Sequence, residues 1–430
     1  MDITSLSHQE LLQLARTNVA AFANNSTWYE ANEAQYLQNL YDIATKGRIK
    51  MSRPGQPTIS LAGTHAEYDL TGNKIPLLRS KQIFIRTQLI ENQWFASGSD
   101  DVSFLKERNV SIWDSWVKPE TAVFEATEKQ TGFDIETYIR CHFPVVFKAL
   151  VQYKAQKAVS IPTLAQMQEF IQAYTEQFAE LSPELGKLNN IPKVRLVGGN
   201  IGAGAYGPAW RKWEDNRIIV ANAHKEESNA AFEEIHEKRG FKYLGCDDLT
   251  DQHTYTRVID QLGDAVKMLR NGADSRRIII SAWNAAKIDE AALPPCHSWF
   301  QFVSYDNFDG GPRDLVCILM QRSNDAPVGK PTNIAQYAAL THLMAKITNH
   351  RAVKLIHNTG DDHIYADQIP LLAEQFNRPP INKPCATIEY PDHIKEIEDY
   401  IAMTPDELSA MIKGYEEGSY HPRINYPVAV

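Results

Sequence analysis

The stretch Ala292-Leu293-Pro294-Pro295-Cys296-His297 governs the interpretation of the whole chain. It lies between two apolar, strand-like segments, one from Arg277 to Trp283 and one that begins at Trp299. Proline fixes φ and restricts the residue before it, so a Pro-Pro-Cys turn loses little further entropy on ordering. Such a turn is predicted to hold the Cys296 thiol rigidly. Because a free cysteine is more often buried and inert, further evidence must come from the neighbouring sequence.

Size and composition restrict the class of protein. The 430 residues suffice for two or three domains, or for one large domain with insertions. A net charge of -9 argues against nucleic-acid binding, and no apolar segment is long enough to span a membrane or act as a leader. The five cysteines form neither a CxxC pair nor a zinc-like spacing, so no disulfide framework and no metal are expected. We expect a soluble, cytoplasmic protein.

Two long segments are predicted to be helical and to lack catalytic motifs. Residues 1–35 open with a capping-box pattern, Ser7 to Glu10, followed by leucines at helical spacing. Residues 117–197 carry an apolar stripe of helical period and are interpreted as an inserted subdomain. A further amphipathic helix is predicted from about Tyr255 to Leu269. The run from Gly198 to Gly207 matches no phosphate-binding fingerprint, so its glycines are expected to allow close backbone approach.

Several residues can be interpreted either as structural or as part of a chemical site. Glu91 falls in a helix predicted from Arg86 to Phe95, where it could simply face solvent. Trp113 and Trp116 are three apart, a spacing more typical of core than of a ligand platform. Arg276-Arg277 at the head of a strand could be ordinary surface charge.

The order of these motifs along the chain resembles the thymidylate synthase family. The resemblance is carried by Tyr36-Leu37 through Gly47, Ser97-Gly98, Ile112-Trp113-Asp114, Trp116, Tyr206-Gly207, Trp210-Arg211, Asp274 to Ile278, Ser281 to Asn284, Leu293 to His297, Gln301-Phe302, Gln321-Arg322-Ser323, Asp325, Gly329, Pro331, Asn333-Ile334-Ala335, Tyr337, His363, Tyr365 and Pro427 to Val430. Many short motifs in preserved order are a stronger signal than any one alone.

The resemblance implies an α+β fold of the three-layer thymidylate synthase type, with a large twisted mixed sheet at a dimer interface. It implies a catalytic domain over residues 36–430, preceded by the extension 1–35 and interrupted by the helical insertion 117–197. Both of those segments fall outside the resemblance.

The resemblance also implies roles for four catalytic residues. Cys296 would add to carbon 6 of a pyrimidine nucleotide and so turn the unreactive carbon 5 into a nucleophile. Glu91 would relay protons at the pyrimidine oxygen through water, and Tyr206 would assist removal of the carbon 5 proton. Asp325 would act beside the folate. Nearby arginines are expected to favour the thiolate.

The implied substrate is dUMP, and most of the residues implied to bind it contact its phosphate, its base or its ribose. Arg53, Arg322 and Ser323 would bind the 5′-phosphate, joined by Arg276 and Arg277 from the second subunit of an obligate homodimer. Asn333 can both donate to and accept from the uracil edge. The rest of the implied set comprises the ribose-binding pair His363 and Tyr365, together with Gln321 and His297.

The implied cofactor is 5,10-methylenetetrahydrofolate. Its site would be formed by residues of the Trp-Asp motif, the Cys296 turn, the Asp325 segment and the chain end, namely Ile112, Trp113, Leu293, Asp325, Gly329, Thr332, Ala429 and Val430.

One departure from the family pattern bears on the product. A phenylalanine that packs on the folate in synthases is Thr332 here, with Lys330 nearby. Replacing that ring with a hydroxyl should admit water, which favours the hydroxymethylases of phages over the synthases. We therefore expect a dUMP 5-hydroxymethylase, which in a phage would act in the host cytoplasm.

The main alternative is thymidylate synthase, which reduces the same intermediate and releases dihydrofolate. Asn333 suits uracil, whereas deoxycytidylate hydroxymethylases carry aspartate there, so a dCMP hydroxymethylase is a further alternative. A catalytically inactive binding homologue is the last, although such a protein need not keep a nucleophile.

Overall fold

The computed structural model describes residues 3–52, 55–157, 159, 162–178, 187–188, 191–220, 238–247, 249–250, 252–271, 274–307 and 310–428. The α-helices within these ranges are α1 (His8–Val19), α2 (Phe22–Asn25), α3 (Ala31–Lys46), α4 (Ile85–Ala96), α5 (Ser103–Lys106), α6 (Gly132–His142), α7 (Pro144–Lys157), α8 (Leu164–Phe178), α9 (Tyr206–Arg211), α10 (Gln261–Arg270), α11 (Gly329–Ile347), α12 (Ile369–Phe376), α13 (Ile397–Ala402) and α14 (Pro405–Ala410). None of these helices is both long and apolar enough to cross a bilayer.

The strands in the same ranges form one large sheet and three small ones. They are β1 (Arg48–Met51), β2 (Pro57–Asp69), β3 (Lys74–Ile75), β4 (Val123–Ala126), β5 (Val194–Gly198), β6 (Trp213–Val220), β7 (Lys242–Asp247), β8 (Gln252–Ile259), β9 (Ile279–Ser281), β10 (His297–Tyr305), β11 (Arg313–Asp325), β12 (His350–Tyr365), β13 (Ala386–Ile388) and β14 (Ile412–Lys413).

The large sheet has six strands in the order β1-β2-β12-β11-β10-β9. β11 and β12 are parallel and the other pairs antiparallel, so the sheet is mixed. Parallel neighbours need a crossover connection, which α11 supplies. Most residues of α11 are buried, including polar ones such as Lys330 and Gln336, so the helix is packed on nearly all sides. Helices around a large mixed sheet confirm the predicted α+β class.

The amino-terminal helix begins at the predicted capping box. The Ser7 hydroxyl accepts from the Glu10 N–H at 3.3 Å, and the Glu10 carboxylate accepts from the Ser7 N–H at 2.7 Å. α1 packs against α3 and α12, and Asn18 Nδ2 donates to the Ile369 carbonyl at 2.8 Å. The extension is therefore anchored to the main core.

The segment 117–197 contains helices α6, α7 and α8. They surround a small core of their own, made of Ile135, Ile139, Val146, Leu150, Met167, Phe170 and Leu188. Strands β4 and β5 pair with each other at its two ends. Arg140 on α6 ties it back, because its Nη2 donates to the carbonyls of Val117 at 2.7 Å and Asp114 at 3.2 Å.

A three-stranded sheet in the order β6-β8-β7 was not expected from the sequence. The helix predicted from Tyr255 is wrong at its start, because residues up to Ile259 form strand β8 and α10 begins at Gln261. The segment Thr254 to Ile259 is mostly aromatic and β-branched, which favours a strand. The Asp260 side chain caps the helix by accepting from the Gly263 N–H at 2.9 Å.

The glycine-rich run packs against the segment that leads to Cys296. A Cβ on Gly202 would lie 2.0 Å from the Glu290 carbonyl oxygen, and one on Gly204 would lie 2.1 Å from that of Lys287. Only glycine fits such contacts, which confirms the expected close backbone approach.

Candidate active site

The candidate site lies where β11 and β12 end side by side, a usual position for ligands beside parallel strands. Cys296 immediately precedes β10, and its turn is held from two sides. Its backbone N–H donates to the Tyr206 hydroxyl oxygen at 2.7 Å, and its carbonyl accepts from the Arg322 N–H at 2.8 Å. The Arg322 guanidinium donates to the carbonyls of Pro294 at 2.7 Å and Pro295 at 2.9 Å. The rigid turn expected from the two prolines is thus also fastened by hydrogen bonds.

Nearby arginines were expected to lower the pKa of the Cys296 thiol, but burial has the larger effect on it. Burial raises the pKa of Cys296, and Arg322 only partly opposes this. The Arg322 Nη2 lies 3.8 Å from the Cys296 sulfur, so it is the cation best placed to stabilise a thiolate. Within one protomer, loss of water around the sulfur outweighs that charge.

The other predicted phosphate ligands occupy different places. Ser323 is half-buried on β11, opposite Asp361 of β12. Arg276 and Arg277 are exposed in the turn before β9, rather than on opposite faces of a strand as two adjacent strand residues would be. No described contact joins them to the Cys296 turn, and Arg53 lies outside the described residues.

Asn333 lies in the first turn of α11 and is held by a buried relay. Its Oδ1 accepts from Gln321 Nε2 at 3.0 Å, and Gln321 Oε1 lies 2.9 Å from His357 Nε2. Burial lowers the pKa of His357 well below its ordinary value, so the ring is neutral. Since an amide oxygen only accepts, His357 must carry its proton on Nε2.

This relay leaves the amide N–H groups of Asn333 free to donate. Asn333 lines the cavity of the site, where those donors suit a carbonyl oxygen such as O4 of uracil. Burial lowers the pKa of His297 to about 4, so this ring is neutral, and the Asn333 side chain only partly opposes that effect.

Glu91 is buried on α4, and the structure excludes the solvent-facing alternative. Its Oε1 accepts from Trp113 Nε1 at 2.6 Å, and its Oε2 accepts from Gln336 Nε2 at 3.1 Å. Burial raises the pKa of Glu91 to about 7, and these two hydrogen bonds oppose the rise. A carboxyl group that titrates near neutral pH is suited to general acid-base work.

Tyr206 begins α9 and contacts the Cys296 turn. Its oxygen accepts the N–H of Cys296, as above, and that of His297 at 3.3 Å. Burial raises the pKa of Tyr206 well above its ordinary value, so it remains a phenol. Its ring stacks on Phe95 of α4 at 4.4 Å between centroids, which links it to the helix that carries Glu91.

The ends of β11 and β12 carry three further predicted residues. Burial alone would lower the pKa of His363, but its hydrogen bond to Asp361 Oδ1 at 3.2 Å and nearby carboxylates raise it overall. The ring of Tyr365 lies edge-on to His363 at 5.1 Å. Burial raises the pKa of Asp325 to about 6, while Gln368 Nε2 donates to both of its oxygens at 3.1 and 2.9 Å.

A cavity of about 1220 Å³ is lined by Glu91 and Asn333, whereas Cys296, Tyr206, Arg322, Asp325, His363 and Tyr365 are not among its lining residues. Its lining combines predicted site residues with apolar and cationic side chains and part of the insertion, including Glu91, Asn333, Thr332, Ile112, Val328, Val428, Phe84, Lys81, Arg423, Lys129 and Phe133. Lys330, expected near the folate, is instead fully buried and paired with Asp362 on β12. Ala429 and Val430 lie outside the described residues.

The remaining predicted folate residues are near the cavity but do not line it. Trp113 is buried behind Glu91, and Leu293 packs against the main core. Gly329 opens α11, and its carbonyl accepts from the Thr332 hydroxyl at 2.7 Å.

Sequence reasoning missed three residues of the site. His357, Gln336 and Gln368 hold Asn333, Glu91 and Asp325 respectively, directly or through Gln321. All three are fully buried, and a polar residue inside an apolar segment was the only available signal.

Comparison with known proteins agrees with this arrangement. The family model described as Thymidylate synthase matches residues 34–430. A thymidylate synthase from Leuconostoc mesenteroides is 30% identical over 400 residues, which cover 93% of this chain and 99% of the relative. One from Mycoplasma mobile is 28% identical over 396 residues, covering 92% of this chain and 99% of that protein. The chain therefore belongs to the thymidylate synthase family of one-carbon transferases.

Proposed function

We propose that the protein methylates dUMP at carbon 5 to give dTMP, with 5,10-methylenetetrahydrofolate as co-substrate. The observation that carries this proposal is the placement of Cys296 against Tyr206, with Asn333 and Glu91 on one adjoining cavity. The sequence alone favoured hydroxymethylation, but both relatives are named thymidylate synthase, which supports reduction of the intermediate at least as well.

Cys296 starts the reaction by adding to carbon 6 of the uracil. The sulfur–carbon bond forms as the carbon 5–carbon 6 π electrons move towards O4, which makes carbon 5 nucleophilic. Because burial favours the thiol, its proton must first pass to solvent water, and Arg322 stabilises the resulting thiolate, which is the species that adds to carbon 6. The bond between the sulfur and carbon 6 breaks again when the product is released.

Asn333 and Glu91 are assigned to stabilising the negative charge that develops on O4. Asn333 donates its amide N–H, and Glu91 gives or takes a proton through water. Tyr206 stays protonated, with its oxygen accepting two backbone N–H groups, so it cannot take the carbon 5 proton itself. We assign it to assisting that removal by orienting the water molecule that accepts the proton. His363 and Tyr365 are assigned to the ribose.

Bound methylenetetrahydrofolate would supply the one-carbon unit and, in the synthase reaction, the hydride. The cavity fits such a molecule, because Ile112, Val328 and Val428 offer an apolar wall for its rings. The exposed Arg423 on the same cavity is a cation suited to its carboxylates.

Hydroxymethylation of dUMP is the second candidate. The half-buried Thr332 hydroxyl lines the cavity where an aromatic ring would exclude water. A hydroxyl at that position favours the addition of water to the methylene group on carbon 5 over the reduction of that group.

Product analysis separates these candidates. Purified protein with dUMP and methylenetetrahydrofolate should yield dTMP and dihydrofolate in equal amounts, measured by chromatography. Formation of 5-hydroxymethyl-dUMP with tetrahydrofolate would establish the second candidate instead, and turnover of dCMP alone would refute both. Cys296→Ala should lose turnover completely while still binding dUMP. If that variant keeps its activity, covalent catalysis by Cys296 is refuted.

We also propose a two-fold dimer in which Arg276 and Arg277 reach the partner's phosphate site. Both side chains are exposed in the turn before β9, the edge strand of the large sheet. Exposed guanidinium groups there are free to bind a phosphate outside their own protomer.

A further inference from the structure

The amide of Gln336 contacts the carboxylate assigned to proton relay. Gln336 lies on α11, is 0% exposed, and donates from Nε2 to Glu91 Oε2 at 3.1 Å. The indole of Trp113 donates to the other oxygen at 2.6 Å. Two distant parts of the chain therefore each supply one donor to Glu91, and together they fix the plane of its carboxylate.

The same helix also carries the group assigned to the base. Asn333 and Gln336 are three residues apart on α11, so they share one side of it. Asn333 lines the cavity, whereas Gln336 reaches behind it to α4. A single buried helix thus fixes the base-binding amide relative to the carboxylate, the kind of rigid support that a catalytic geometry requires.

We propose that Gln336 is a positioning residue for proton transfer at the pyrimidine oxygen, an inference that rests on the proposed function. Its amide holds the Glu91 carboxylate towards the cavity and, by donating to it, favours the ionised form. Gln336 itself does not touch the substrate.

The surroundings of Glu91 make this donor important. No ion pair involves Glu91 within the described part of the chain. Tyr206 and Tyr337 face it, and burial raises the pKa of both well above the ordinary value, so both are neutral. Lys106 and Asp114 line the same cavity but pair with each other.

Two neutral donors are therefore all that opposes the effect of burial on Glu91. A hydrogen bond to a carboxylate stabilises its charged form, so removing one raises the pKa of the group. Loss of the Gln336 amide should move the titration of Glu91 to higher pH by about one unit.

The chain offers a matched control for this test. Gln93 on α4 is also 0% exposed, and its Nε2 donates to the carbonyls of Tyr400 at 2.6 Å and Met403 at 3.0 Å. Gln336→Met and Gln93→Met each remove one buried amide of the same size. Only the first removes a donor to Glu91.

Two measurements should be made on the full-length protein. The first is the pH dependence of kcat/KM for dUMP. The second is a ¹³C NMR titration of the Glu91 carboxyl without substrate, with the signal assigned by its loss in Glu91→Gln. Because the titration needs no turnover, it tests the Gln336 contact even if the proposed reaction is wrong.

In Gln336→Met, both the pH limb and the NMR titration should move upwards by about one unit, and Gln93→Met should leave them in place. Gln336→Ala, which adds no volume, should give the same shift should the methionine variant fail to fold. An unmoved titration in a folded Gln336 variant, or an equal shift in Gln93→Met, would refute the proposal.

Discussion

The Lys330–Asp362 ion pair shows how much a single buried residue depends on its partner. Both side chains are 0% exposed, and Thr64 donates a further hydrogen bond to the Asp362 carboxylate at 2.7 Å. Burial lowers the pKa of Lys330, while Asp362 opposes this. Removing one member leaves a desolvated charge, whereas removing both leaves an apolar site.

Asp362→Ala should therefore lower the free energy of unfolding by about 3–5 kcal/mol, because Lys330 is left uncompensated. Adding Lys330→Met should recover most of that loss. Urea unfolding of the two single variants and the double variant measures this coupling. A cost below about 1 kcal/mol for Asp362→Ala would contradict the expectation.

Among single residues, sequence motifs identified those to which we assign chemistry better than those that hold them in place. Cys296 and Tyr206 were predicted because each lies in a recognisable motif, and Glu91 because it matches the position of a family carboxylate. Gln336 was not, because one glutamine in an apolar helix gives no sign of its partner 245 positions away. Such a contact depends on tertiary packing, which local patterns do not encode.

The helical segment 117–197 illustrates how one part of the chain can support the candidate site from outside. Arg140 on α6 donates to the carbonyls of Asp114 and Val117, which lie one and four residues after the Trp113 that holds Glu91. The insertion also lines part of the cavity through Lys129 and Phe133. Its position relative to the catalytic residues therefore depends on that guanidinium.

Arg140→Ala should destabilise the protein by about 1–3 kcal/mol, since it leaves the Val117 carbonyl without its donor and the Asp114 carbonyl with only the Val117 N–H. Arg195→Ala is the control, because Arg195 forms an exposed pair with Glu125 and should matter by less than about 1 kcal/mol. Thermal unfolding and limited proteolysis of the insertion would compare the two. Equal effects would show that Arg140 is not the anchor.

Elements were predicted well where periodicity was clear. The capping box gave the start of α1, and α4 covers the predicted range with small shifts at its ends. β8 was mistaken for helix because its apolar residues also fit a helical spacing, and strand pairing with β6 and β7 decided the outcome. That pairing depends on residues far away in sequence.

For the whole molecule, the proposed dimer predicts that the two subunits complement each other. Mixing Cys296→Ala with the double variant Arg276→Ala/Arg277→Ala creates heterodimers with one intact site. Random exchange of equal amounts should restore about one quarter of wild-type activity, since half of the dimers regain one of two sites. Activity assays before and after subunit exchange measure this recovery. No recovery despite mixed dimers, shown by mass spectrometry, would place those arginines in their own protomer's site.

The contact of Gln368 with both Asp325 and the Pro427 carbonyl has a practical consequence. One amide nitrogen joins the final stretch of chain to the end of a central strand, at 2.9 Å from Pro427. An affinity tag or fluorescent fusion appended after that stretch would strain the hydrogen bond from Gln368 to Pro427. It would also disturb the cavity, because Val428 in the same stretch lines it. Purification handles and labels therefore belong at the opposite terminus, ahead of α1.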